Sequence, residues 1–234
     1  MIKSGIDQDA LITQFSQASA KQGAALRKAV SEATLKALQG RELTLANIKS
    51  VLQSVTQAAS AGAAESKLPM PDVEGLLGQA FAGMDAALLK TVEAQRKALE
   101  QVVSQGVDAQ DKQFKSALDN LEKMEDMFFT TVGKAVQGLD KPMQGPWDQV
   151  LGAMKLKGTN TGSQATQTVE QMLAQTRSAI RDGRATGMRA AQAMMESYAM
   201  LVSGVLIGMS EGLQQGAASP PAQGTAPKAA AKRR

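Results

Sequence analysis

Apolar positions along the chain recur at steps of three and four, the spacing that lines one face of a helix, and no alternating run of strand type is present. Leu11, Phe15, Ala18, Gln22, Leu26, Val30, Thr34 and Leu38 predict a first helix over about Asp7 to Gln39, and Gly40 follows as a natural stop. Leu45, Ile48, Leu52, Val55 and Ala59 predict a second over about Leu43 to Ala61, with Thr44 placed to cap its start. The short connection makes residues 1–61 an N-terminal helical hairpin. Residues 62–71 form a linker, because Pro69 and Pro71 lack the amide that a continuing helix needs.

From Asp72 the helical spacing resumes. A small-residue stripe (Leu76, Ala80, Met84, Ala87, Thr91, Ala94, Ala98, Val102) precedes a bulkier one (Phe114, Leu118, Leu121, Met124, Phe128, Val132, Ala135). The pattern predicts one long amphipathic helix over 72–137, about 100 Å long, with a weak point near 106, where Gly106 and Asp108 are poor helix formers. Residues 138–162 read as a linker holding a short helix with Trp147, Val150, Leu151 and Met154 on one face, ended by Gly158-Thr159-Asn160-Thr161-Gly162. Residues 163–216 predict a long C-terminal helix of about 80 Å. Residues 217–234 (AASPPAQGTAPKAAAKRR) have no apolar anchor and predict a disordered basic tail. The fold expected is therefore all-α, an elongated bundle of long amphipathic helices. Helices of 80–100 Å cannot bury their stripes in a compact monomer, so a homo-oligomer is expected.

Composition narrows the chemistry. The 234 residues include 39 Ala and 24 Gln but only five Phe, one Tyr and one Trp, and neither His nor Cys. That excludes Cys/His zinc sites, Ser-His-Asp and Cys-His nucleophiles, redox dithiols and disulfides. Asp119, Glu122, Glu125 and Asp126 lack the histidines of a carboxylate-bridged di-iron bundle and read as a solvated acidic face. The expectation is a non-enzymatic protein with no catalytic or metal residue, no cofactor and no small-molecule substrate. Met1–Asp7 holds no apolar run of signal-peptide length. The most apolar stretch, Tyr198–Met209, is twelve residues, short of the roughly 20 that a membrane span requires. A cytoplasmic location follows as an expectation.

The net charge of +4 equals the charge of the tail, where Lys228, Lys232, Arg233 and Arg234 face no acid, so the body is neutral. Four such charges could neutralise about four phosphates, giving weak, salt-sensitive nucleic-acid binding. Arg177, Arg181 and Arg184 share a helical face at i, i+4 and i+7 and make a second candidate anion site. The plainer reading is a solvated stripe partly paired with Glu170 and Asp182.

Two features point to apolar contact. Gly204, Gly208, Gly212 and Gly216 recur every four residues, which stacks them on one face for helix packing or self-association. Met194, Met195, Tyr198, Leu201, Val205 and Met209 form an apolar face, and eight of the 13 methionines lie between Met143 and Met209. Met adapts to irregular apolar partners, in a core or at a binding surface.

The long helical stretch 72–137 and the tail APKAAAKRR at 226–234, in an Ala/Gln-rich and aromatic-poor chain, resemble the phasins, bacterial proteins that coat polyhydroxyalkanoate granules. The resemblance implies a non-enzymatic amphiphile that oligomerises and adsorbs to an apolar granule. The leading expectation is thus a structural or surface-active helical protein at a granule or membrane surface. The alternatives are a cytoplasmic helical scaffold with no lipid or polymer contact, and a nucleic-acid-associated protein acting through its tail.

Overall fold

A computed structural model describes residues 7–17, 23–39, 42–65, 70–104, 112–181 and 198–216. The described residues form helices and short connections without a strand. In chain order the helices are α1 (Gln8–Gln17), α2 (Gly23–Leu38), α3 (Leu45–Glu65), α4 (Met70–Ser104), α5 (Lys112–Glu122), α6 (Met124–Gln137), α7 (Lys141–Lys157), α8 (Asn160–Arg181) and α9 (Tyr198–Gly216).

The small-residue stripe that looks weak in the sequence is the centre of the molecule. Ala80, Met84, Ala87, Thr91, Ala94, Ala98 and Val102 of α4 are fully buried, and α2, α3, α7, α8 and α9 all pack on this helix. Small side chains let so many neighbours approach. At Gly83 a Cβ would lie 2.7 Å from the carbonyl oxygen of Arg27 and 2.8 Å from Cβ of Val30, so α2 rests on the backbone of α4. Buried threonines fit the same interfaces because their hydroxyls donate to their own helix. Thr34 bonds the Val30 carbonyl, Thr56 that of Leu52 and Thr176 that of Met172. Trp147 of α7 donates from Nε1 to Ser60 Oγ of α3 at 2.8 Å, which places the only indole in the core with its polar atom satisfied.

Four sequence expectations change. The stripe over 7–39 belongs to two helices with different partners, α1 on α3 and α2 on α4. The stretch 72–137 is not one helix. Phe81 and Phe128 stack with ring centroids 4.5 Å apart. One straight helix would hold residues so spaced about 70 Å apart. The bulky stripe of α5 and α6 instead folds back, α6 onto α3 and α5 onto α8, because that buries its phenylalanines. Residues 138–162 hold a full helix: α7 starts after Asp140, whose φ of −63° and ψ of 145° are extended, and carries Pro146 in its second turn. Gly158, at φ +74°, ends α7, and α8 begins two residues later at Asn160. The last helix is likewise divided. Asn160 meets Asp85 and Gln171 meets Glu100, so α8 runs alongside α4 in the same direction. A straight continuation would carry Tyr198 about 40 Å beyond Gln171 and past the end of α4 at Ser104. Yet α9 packs on α4, so α8 and α9 are separate elements.

The longest helix among the described residues is therefore α4, 35 residues or about 52 Å. Helix length no longer requires a second copy, and any case for self-association rests on the surface.

Candidate functional site

Polar groups gather inside the molecule where α8 starts. Asp85 of α4 is 5% exposed. Its Oδ2 accepts from the Asn160 backbone N–H at 3.1 Å and from Asn160 Nδ2 at 2.9 Å. Its Oδ1 accepts from the Thr161 N–H at 3.0 Å, and its backbone carbonyl accepts from Thr161 Oγ1 at 2.9 Å. Glu125 of α6 adds a second carboxylate: Oε1 accepts from the Thr159 N–H at 2.9 Å and from Thr159 Oγ1 at 2.6 Å. Thr159 Oγ1 in turn accepts from the Gly162 N–H at 2.9 Å, the bond of an N-cap. The two acids thus occupy the positive end of the α8 dipole and satisfy its orphan amides. A Cβ on Gly162 would collide with the Glu125 carboxyl and push it away from Thr159.

This arrangement fastens α8 to α4 and α6. Among the described residues no cluster of three or more carboxylates forms to hold a metal. Sequence reasoning missed Asp85 and placed Glu125 on the solvated face. Asp119, Glu122 and Asp126 are exposed, as expected. The available signal was Thr159-Asn160-Thr161, three cap-forming residues after Gly158, and a lone acid inside an otherwise small, apolar stripe.

α9 differs. Val202 and Leu206 are its buried residues among those described, and Tyr198, Leu201, Val205 and Met209 pack half-buried against the core. The predicted apolar face thus lies beside α4, centred one position further along the helix than its sequence stripe. Met194 and Met195 lie outside the described residues. On the outward side, Gly204 and Gly208 are exposed, and a Cβ at either would meet nothing within 4 Å. Among the described residues nothing packs on Gly204 or Gly208. Gly212 and Gly216 continue the same helix. One turn before Gly204, Met200 is 74% exposed on the same row. Tyr198 Oη and, on α4, Gln95 Oε1 are buried with no hydrogen-bond partner among the described residues. Burial alone pushes the Tyr198 phenol above its usual pKa.

Of the basic candidates, only the Arg177 side chain lies among the described residues. Arg177 is exposed on α8 and forms no ion pair among the described residues, and the Arg181 backbone ends that helix. Arg184, Lys228, Lys232, Arg233 and Arg234 lie outside the described residues. No helix among the described residues is long and apolar enough to cross a membrane.

A protein family described as a "Family of unknown function (DUF6781)" matches residues 1–215, so the chain belongs to that family. No curated protein and no solved structure matches it.

Proposed function

We propose that this member of the family is a non-enzymatic structural protein that associates through the outward face of α9 with an apolar surface, such as a storage granule. The observation that carries the reading is the open row of Met200, Gly204 and Gly208. Each glycine costs a helix about 1 kcal/mol relative to Ala. No contact among the described residues offsets that at Gly204 or Gly208. Close approach of an outside surface to a backbone without side chains would offset it. The exposed thioether of Met200 extends the row with an adaptable apolar group. Two copies meeting through the same row would give the self-association expected alongside adsorption. The phasin resemblance supports a polymer granule as the surface, reached from the cytoplasm.

The test is flotation with purified polymer granules and with liposomes. The protein should float with granules, and Met200→Glu should reduce the bound fraction several-fold with helicity and melting unchanged. A protein that stays wholly soluble with both surfaces, while forming one sharply defined oligomer, would replace this reading with that of a soluble scaffold.

A further inference from the structure

We propose that the depression between α1, α2 and α4 is a docking groove for an acidic amphipathic helix of a partner protein. The groove encloses about 1160 Å³ and runs beside α2 from Ala24 to Gln39. That is sixteen residues, the last one just past the end of α2, about 22 Å, the length of a four-turn helix. Leu11, Ala33, Leu35 and Ala86 supply apolar lining, and its alanines let a guest backbone come close. Its charged lining is Arg27, Lys28, Lys36 and Lys90 against the single carboxylate Glu32, a local net of +3. The excess is notable because the chain outside its tail is neutral.

Two of these cations have internal partners: Lys90 meets Glu93 at 2.9 Å, and Lys28 lies 3.8 Å from Glu32 with both side chains largely exposed. Arg27 and Lys36 are exposed and form no ion pair among the described residues. They stand nine residues apart on α2, about 13 Å along its axis and half a turn around it, so they border the groove from opposite sides and cannot grip one phosphate or carboxylate together. The placement suits separate acids two to three turns apart on a guest helix, one on each flank of an apolar stripe that would cover the lining between them. A nucleic-acid strand fits less well, because no aromatic side chain lines the groove for a base to stack on. The surface is remote in sequence from α9, so the proposal stands apart from the granule reading.

Fluorescence anisotropy on the full chain tests it, with a labelled synthetic amphipathic helix of about 15 residues bearing a Leu stripe flanked by Glu. A second peptide carries Lys in place of Glu. The Glu peptide should bind and weaken as salt rises. The double variant Arg27→Glu/Lys36→Glu should weaken it at least about tenfold, with melting unchanged because both side chains are exposed. Lys155→Glu, at an exposed position on α7, should leave binding intact. Equal binding of the two peptides, full binding by the double variant, or displacement by an oligonucleotide at the same concentration as unlabelled peptide would each overturn the proposal.

Discussion

α8 and α9 both lie on α4, and different chemistry holds each in place. The start of α8 is fixed by directional bonds: two carboxylates receive its free amides, and two threonine hydroxyls and an asparagine amide complete the set. α9 rests on Val202, Leu206 and a rim of half-buried side chains, with the Tyr198 hydroxyl buried and unpartnered among the described residues. Directional bonds specify one position, whereas aliphatic contact tolerates sliding and release. The proposed function follows this contrast: α8 belongs to the frame, and α9 carries the face proposed to meet an outside surface.

The largest expected effect tests the α8 side. Asp85→Ala would leave the buried Thr161 amide and the part-buried Asn160 amide without their acceptor and should destabilise the protein by about 3 kcal/mol in denaturant unfolding. A loss below about 1 kcal/mol would mean that the carboxylate does not hold the helix.

Next comes one substitution with opposite signs on the two helices. Gly162→Ala drives a methyl into the Glu125 carboxyl and should cost about 2 kcal/mol. Gly204→Ala and Gly208→Ala place a methyl in open space and should each gain up to about 1 kcal/mol from helix propensity. A loss at Gly204 or Gly208 in the isolated monomer would reveal a neighbour on the row.

Smaller effects concern the seam between α9 and α4. Tyr198→Phe removes a buried hydroxyl without a described partner and should leave stability unchanged or raise it by about 1 kcal/mol. A clear loss would show that the hydroxyl is bonded. The seam should also respond to alkali. The phenol has its ordinary value of 10.0 when unfolded and a higher one when buried. Its contribution is therefore full below pH 10 and is lost as the pH rises further, because only the unfolded form readily releases the proton. The chain has one tyrosine, so ultraviolet tyrosinate absorbance should rise together with loss of α9 protection in hydrogen exchange. Ionisation with α9 still fully protected would contradict burial.

How far the sequence reads ahead follows the same division. The three-four spacing depends on local geometry, so the helical class and the stripe of α3 are legible. Where a helix ends and what it faces depend on distant partners. The steps from Phe114 to Val132 continue those of α4 closely enough to look like one helix, and only the meeting of Phe81 with Phe128 reveals the fold-back. Asp85 could not be recognised because its partners, Asn160 and Thr161, lie 75 residues or more away. Glu125 looks like its acidic neighbours until α8 is placed above it. The glycine row was legible as a row, but a helix with apolar residues on most sides, such as α9, does not announce which side is buried. Gly204 and Gly208 face outward.

The central claim is that this outward face is the association surface. Its most direct test measures granule binding of Gly204→Glu/Gly208→Glu beside Gly152→Glu, an exposed control on α7 where a Cβ also meets nothing. The account predicts that the α9 pair loses most of its binding while the α7 control binds like the unmodified chain. Equal binding by all three, or equal loss in both variants, would contradict it.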